Sequence, residues 1–320
     1  MQRNGWFLRY LSRNRNRIVK YLLLIIGIPL LFVRCKKEDV VFEDNDAPPY
    51  AGVSTIVLSN YVNRLFIDLI GREPLDLEMT AEIAALRADS LSLESRGVLV
   101  DKLMNGDAFI EGDSTYRRAY SVKLYENLKA RFIEGASDAL LLEEYDLWRG
   151  NAILDSLNGN MTGYALKMQE ANRLQDVLDS RVEWQGDEIE IDEMVRRMMF
   201  NSVYDNINMN AFNFVNASFD DLFFRFPTQP EFESAYTIIE FNQPAVIFNT
   251  VAQNKLEYLN ALTATGEFHE GMVVWVYRSL LSREPNTVEV YTNATDFSTT
   301  QNISAIQRAV LISDEYAGFE

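Results

Sequence analysis

A fourteen-residue motif that occurs three times is the feature of this chain that most restricts its fold. The copies are YVNRLFIDLIGREP at 61–74, FVNASFDDLFFRFP at 214–227 and MVVWVYRSLLSREP at 272–285. Each copy is followed by an acidic residue four positions after its proline, and later by an aliphatic residue six positions before an aromatic one. The shared positions are Arg72, Arg225 and Arg283; Pro74, Pro227 and Pro285; Glu78, Glu231 and Glu289; and the pairs Leu103–Phe109, Leu262–Phe268 and Val310–Tyr316. A two-part motif seen three times indicates a repeated structural unit.

The spacing within the motif predicts helices. Val62, Phe66 and Leu69 fall on one apolar stripe of a helix, and the other copies keep this stripe. The proline cannot continue that helix, so the chain turns there. The Thr-x-x-Glu sequence at 228–231 and the Asn-x-x-Glu sequence at 286–289 have the spacing of a capping box that begins a second helix. Each unit is therefore predicted to be a helical hairpin plus a third helix, whose apolar face a neighbouring unit covers.

The polar residues of the motif have two interpretations. Asp68 with Arg72, and Asp221 with Arg225, are spaced as i,i+4 ion pairs that would fix the end of the helix. The alternative is that these residues and their counterparts form a functional site. The aspartate is replaced by Ser279 in the third copy while the turn residues Arg283 and Pro285 are kept, which favours the structural interpretation.

These patterns predict an all-α fold of three hairpin-plus-helix units joined by a helical segment. The predicted segments are a signal peptide at 1–35, an acidic tether at 36–54, unit 1 at 55–112, a helical insert at 113–207, unit 2 at 208–271 and unit 3 at 272–320. One small β-hairpin is a further candidate at 181–191, where apolar and polar residues alternate around Gly186.

The first 35 residues indicate export. They contain seven of the 30 basic residues and none of the 47 acidic ones, which leaves 23 basic and 47 acidic residues, a net charge of −24, on the remainder. A basic stretch precedes thirteen apolar residues at 21–33, which are too few to span a bilayer as a helix. Cys35 follows directly, so the segment resembles a bacterial lipoprotein signal, which implies lipidation of Cys35. Arg34 departs from the small residue usual there, and an uncleaved inner-membrane signal anchor is the alternative.

The residues after Cys35 bear on location. The sequence Lys-Lys-Glu-Asp at 36–39 resembles the signal that sends Bacteroidota lipoproteins to the outer face of the outer membrane. A solvated spacer is the alternative, with a periplasm-facing or inner-membrane location. The acidic body would repel phosphate backbones, so nucleic acid is not expected as a partner.

The repeats themselves resemble two bacterial modules of unknown function. The sequence YRSLLSREP at 277–285, with SDEY at 313–316, is similar to a short helical repeat of secreted and surface proteins that is itself similar to the phycobilisome linker domain. The sequence DLIGREP at 68–74 resembles a cytochrome-associated domain of planctomycete surface proteins. Neither resemblance implies a catalytic residue, and the haem-binding part of the second is missing.

The sequence therefore favours a non-catalytic lipoprotein that binds or scaffolds other envelope proteins. One cysteine and one histidine rule out an intrachain disulfide and a His/Cys zinc site, and no catalytic residue, metal site or cofactor is predicted. The first alternative is a surface glycan-binding lipoprotein for nutrient uptake, with Trp148 and Trp184 as candidate ligand contacts. The second is a carboxylate-dependent hydrolase, for which the acidic cluster at 188–193 is one candidate.

Overall fold

A computed structural model of the protein describes residues 50–108 and 114–319. Within these residues the fold is all-α, as predicted, with a single two-stranded antiparallel sheet. The helices are α1 (Thr55–Ile70), α2 (Asp76–Ala88), α3 (Leu93–Asn105), α4 (Tyr116–Phe132), α5 (Asp138–Leu157), α6 (Met161–Gln185), α7 (Ile191–Met199), α8 (Ser202–Asn208), α9 (Ala211–Phe223), α10 (Gln229–Phe241), α11 (Lys255–Thr263), α12 (Gly266–Leu281), α13 (Thr287–Thr300), α14 (Ile303–Leu311) and α15 (Asp314–Ala317).

The strands are β1 (Ala245–Ile247) and β2 (Thr250–Ala252), paired as Ala245–Ala252, Val246–Val251 and Ile247–Thr250. They lie between α10 and α11. The location predicted for a hairpin, 181–191, is wrong: residues 181–185 are the last turn of α6, and α7 begins at Ile191. The alternation there reflects a helix end followed by a short loop, which periodicity over so few residues does not distinguish from a strand.

The three motif copies form the same turn. Each first helix (α1, α9 and α12) ends at a residue in the left-handed conformation: Gly71 (φ 77°), Phe224 (φ 55°) and Ser282 (φ 55°). The next residue is the motif arginine, and the second helix (α2, α10 or α13) begins after the proline. Only the first copy has a glycine there, and a side chain in this conformation is strained.

An arginine–glutamate pair holds each turn. Arg225 Nη1 and Nη2 donate to Glu231 Oε2 and Oε1 at 2.9 and 2.8 Å, and Nη1 also donates to the Phe226 carbonyl at 3.1 Å. Glu231 Oε2 in turn accepts from the Thr228 backbone N–H at 2.7 Å. Arg72 with Glu78 and Arg283 with Glu289 repeat every one of these bonds. The predicted partners, Asp68 and Asp221, are therefore not the carboxylates that hold these turns.

The third helices carry a second shared feature. Thr265 accepts a hydrogen bond from the backbone N–H of Phe268 at 3.0 Å, and Ser313 accepts one from Tyr316 at 3.2 Å. Asn201 does the same for Tyr204 at 3.0 Å, at the junction of α7 and α8. Met198 also lies six residues before Tyr204. The α7–α8 segment, which the sequence placed in the insert, is thus a further copy of the third-helix element.

The helix α4 resembles a first helix in the same way. Its buried residues Leu124, Tyr125 and Leu128 have the spacing of Leu65, Phe66 and Leu69 in α1. In this alignment Asn127 corresponds to Asp68, and Arg131 corresponds to Arg72. The helices α4, α7 and α8 therefore supply the first and third elements of a fourth unit. The long α5–α6 hairpin stands where the other units have their second helix.

The four units pack in a closed ring around one core. Helix α1 contacts α4, α7 contacts α11, and α9 contacts α12. The ring closes because α14 packs on α3 and α15 packs on α1. The α9–α12 crossing is so close that a Cβ on Gly271 would lie 1.9 Å from the Leu222 carbonyl oxygen, so only glycine fits there. Tyr50 and Val53, within the predicted tether, belong to this fold, since the Tyr50 hydroxyl donates to Asp314 Oδ1 at 2.9 Å.

The N-terminal predictions fall outside the described residues. These include the signal peptide, Cys35 and most of the tether. None of the helices in the described part of the chain has the length and apolar character needed to cross a membrane.

Candidate binding clefts and a protruding arm

A polar cleft of about 590 Å³ lies where the C-terminal halves of the four first helices meet. We call it the central cleft. The equivalent position of every unit lines it: Asp68 from α1, Asn127 from α4, Asp221 from α9 and Ser279 from α12. The motif arginines Arg72, Arg225 and Arg283 do not line it, because they lie at the turns. In the three motif copies the polar position and the arginine thus have separate roles, whereas Arg131, at the arginine position of the fourth unit, lines the cleft.

Two tyrosines hold the aspartates of the central cleft. The Tyr316 hydroxyl donates to Asp68 Oδ2 at 2.7 Å, and the Tyr204 hydroxyl donates to Asp221 Oδ2 at 2.9 Å. Each tyrosine comes from the third element of the unit that precedes the aspartate around the ring. The repeat motif therefore positions its aspartate by a contact between units.

Three cations line the same cleft: Lys123 and Arg131 from α4, and Arg278 from α12. The guanidinium carbons of Arg131 and Arg278 lie 4.2 and 4.3 Å from the centre of the Phe224 ring. The Arg131 side chain also donates to the Asp221 carbonyl oxygen. One aromatic ring thus brings two guanidinium groups together at the cleft wall.

Burial shifts the pKa values of two of these groups. It raises the pKa of Asp221 to about 6, and the hydrogen bond from Tyr204 and the charge of Arg131 only partly oppose this. It lowers the pKa of Arg131 to about 10, although Asp221 and Asp220 act in the opposite direction. Strongly shifted groups of opposite charge in one cleft are characteristic of functional sites.

A second cleft, of about 600 Å³, contains Trp184, one of the two predicted ligand contacts. We call it the Trp184 cleft. The indole of Trp184 is half-buried, and its ring centre lies 5.8 Å from that of Tyr120. Opposite it are polar residues of the α13–α14 connection, including Gln301, whose Oε1 atom is buried without a hydrogen-bond partner. The wall thus combines an aromatic ring with polar groups.

Trp148 occupies a different environment. Its indole Nε1–H donates to Ser202 Oγ at 3.1 Å, and the half-buried ring packs against the core. Its polar group is thus used within the fold, and neither cleft includes it. The structure separates the two tryptophans that the sequence treated alike.

The acidic cluster at 188–193 does not form a cation site. Glu193 forms ion pairs with Arg196 and Arg197, and Glu190 lines the Trp184 cleft. In the described part of the chain, no group of three or more histidine, cysteine, aspartate or glutamate side chains is arranged to hold a metal ion.

The α5–α6 hairpin extends beyond the ring. Between residues 150 and 170 only Ala152 is buried, whereas the second half of α6 packs on α4 and α7. We call residues 150–170 the arm. Five apolar side chains of the arm are exposed: Ile153, Leu154, Leu157, Met161 and Leu166.

Comparison with known proteins gives no further guidance: no family model matches this chain, and neither the curated proteins nor the solved structures show a match. The function must be inferred from the two clefts and the arm.

Proposed function

We propose that this protein is a lipid-anchored component of the cell envelope that binds another envelope protein through the arm. The observation that carries this proposal is the exposure of apolar side chains on the arm. Leu157 is 78% exposed and Met161 58% exposed, although both lie on well-formed helices. An isolated exposed leucine is ordinary, but a cluster at a projecting end is typical of an interaction surface.

The near absence of charged residues on the arm supports a partner with an apolar surface. Asp155 is the single charged residue between 150 and 166, and it is paired with Lys167 at 2.8 Å. The body of the protein, by contrast, is strongly acidic. Eight residues of α5 beyond residue 149 correspond to about 12 Å of helix, enough to reach past the ring.

The location is part of the same proposal. Lipidation of Cys35 would anchor the chain, and the acidic signal at 36–39 would place it on the outer face of the outer membrane. An anchored protein meets its partners in two dimensions, so a small apolar surface can be sufficient for association. The uncleaved inner-membrane anchor remains the alternative.

A cross-linking experiment in membranes tests this function. A photo-cross-linking amino acid at position 158, at the tip of the arm, should give one discrete adduct, which mass spectrometry identifies. Leu157→Ser combined with Leu154→Ser should abolish the adduct. Leu77→Ser is the matched control, because Leu77 is 85% exposed but lies on α2, outside the arm.

The anchor is tested with the same preparation. Cys35→Ala should release the protein from the membrane fraction, because a lipidated cysteine supplies the acyl chains that bind it. Retention of the variant in membranes would support the signal anchor instead.

The cross-linking experiment has its own contrary outcome. A discrete adduct that survives the double arm substitution would show that the arm is not the binding surface.

A further inference from the structure

The central cleft is built from one repeated position of the four units, and binding through the arm does not involve it. Four helices that are far apart in sequence each contribute the same repeat position to it, with Asp68, Asn127, Asp221 and Ser279. All four are polar, whereas the stripe positions beside them are buried and apolar. A position needed only for packing would not be polar in every unit and turned towards one cavity.

The ring of Phe224 positions two of the cations of the central cleft. Phe224 takes the left-handed conformation that Gly71 takes in the first unit. Ser282 takes it in the third unit, so the turn accepts different side chains and does not itself require the phenylalanine ring. The Phe224 ring is the surface on which Arg131 and Arg278 both lie.

The charges of the central cleft indicate a ligand that has both a carboxylate and hydroxyl groups. Lys123, Arg131 and Arg278 place three cations around one cavity of an otherwise acidic protein. Arg131 and Arg278 repel one another, and a bound carboxylate would relieve this while accepting bidentate hydrogen bonds. Arg278 also pairs with Glu284 at 2.6 Å, but both side chains are largely exposed, so the pair is weak.

The acceptors of the cleft restrict the ligand further. Asp68, Asp220 and Asp221 also line it, so a compact, highly charged anion such as phosphate would be repelled. Hydroxyl groups, in contrast, would donate to these carboxylates. The side chains of Trp275 and Phe224 supply apolar surface against which a sugar ring can pack. A volume of about 590 Å³ is in the range of small-molecule sites.

We propose that the central cleft binds an acidic sugar, with the carboxylate held by Lys123, Arg131 and Arg278 and the hydroxyls held by the aspartates. This site is separate from the arm, and its ligand is a small molecule rather than a protein. Failure of either proposal leaves the other unaffected, because the arm substitutions are expected to leave sugar binding unchanged.

Calorimetric titration of the full-length protein in detergent with digalacturonate tests the site. Digalacturonate should bind, and a neutral disaccharide of galactose should bind at least about tenfold more weakly, because it lacks the carboxylates. Lys123→Ala and Arg278→Ala should each weaken digalacturonate binding about tenfold. Both side chains are partly exposed, so the variants should fold, which a thermal melt verifies.

Two controls locate the bound sugar. Arg118→Ala removes an exposed cation from the same helix as Lys123 and should leave the affinity unchanged. Trp184→Ala should also leave it unchanged, because Trp184 lies in the other cleft. Equal affinity for the acidic and neutral disaccharides would overturn the proposal. So would the absence of binding, or a loss caused by Trp184→Ala and not by Lys123→Ala.

Discussion

Asp221 is a carboxyl group whose burial opposes its charge. Burial raises its pKa to about 6 from an ordinary value of 3.8. A raised pKa is one requirement of a catalytic acid, and Asp68 lines the same cleft, so the hydrolase alternative gains one feature here. Both aspartates, however, already accept hydrogen bonds from tyrosine hydroxyls. The arrangement suits the binding of hydroxyl groups at least as well as catalysis.

This shift predicts a pH dependence of stability. The folded protein holds a proton on Asp221 up to about pH 6, and the unfolded chain only up to about 3.8. The contribution of this group to the free energy of unfolding is therefore full below pH 3.8 and falls as the pH rises through 6. Asp221→Asn cannot titrate, so its stability relative to the native protein should rise by roughly 1–3 kcal/mol between pH 4 and pH 7.5.

Denaturant unfolding of both proteins at the two pH values measures the difference. Asp146→Asn is the control, because Asp146 is exposed on α5 and does not line the central cleft. If Asp221→Asn is equally destabilised at pH 4 and pH 7.5, the carboxyl acts as a hydrogen-bond acceptor for Tyr204, and its charge is not the dominant factor.

At the scale of elements, the sequence predicted the helical hairpins but not the side-chain pairs that hold their turns. The stripe of Val62, Phe66 and Leu69 identified the first helix, and the capping-box spacing identified the start of the second. The arginine was assigned to an aspartate four residues before it, because helical periodicity compares only residues on one helix. Its partner is a glutamate across the turn, and the constant spacing of Glu78, Glu231 and Glu289 after the prolines was the available signal.

The fourth unit and the clefts were not predicted, for a related reason. The α5–α6 hairpin separates α4 from α7, so the two parts of that unit that match the other repeats lie far apart in the sequence. The six-residue spacing of Met198 and Tyr204 was the signal for it. The central cleft combines four such distant helices, although the sequence had raised Asp68 and its counterparts as candidates for a site.

The contribution of the arginine–glutamate pairs to stability can be tested at Arg225. This side chain binds Glu231 through two hydrogen bonds and also donates to Glu267 at 2.8 Å. A lysine has a single ammonium group and cannot span both carboxylates and the Phe226 carbonyl. Arg225→Lys should therefore lower the free energy of unfolding by about 1–2 kcal/mol. Arg118→Lys, at an exposed site on α4, should change it by less than about 0.5 kcal/mol. If Arg225→Lys and Arg118→Lys changed the free energy of unfolding equally, the several hydrogen bonds of the Arg225 guanidinium would add nothing to the effect of a surface charge.

At the scale of the molecule, the closed ring distinguishes this fold from an open solenoid. In a solenoid each repeat contacts only its sequence neighbours, so no direct contact joins the two ends. Here the last unit packs on the first through several polar contacts. Arg64 donates to the carbonyls of Tyr316 and Leu280 at 2.9 and 3.0 Å, and the fully buried Arg96 pairs with Asp314 at 2.8 Å. The ends of the described chain therefore stabilise one another.

Removal of one hydroxyl at this closure tests the ring. Tyr316→Phe removes the hydroxyl that donates a hydrogen bond to the Asp68 carboxylate. The free energy of unfolding should therefore fall by about 1–3 kcal/mol. Because the closure joins the two ends, amide hydrogen exchange should accelerate in α1 as much as in α14, within a single unfolding transition. Tyr291→Phe, on the exposed side of α13, should leave exchange unchanged. Acceleration confined to α12–α15 would show instead that the first and last units unfold separately and that their contact does not couple them.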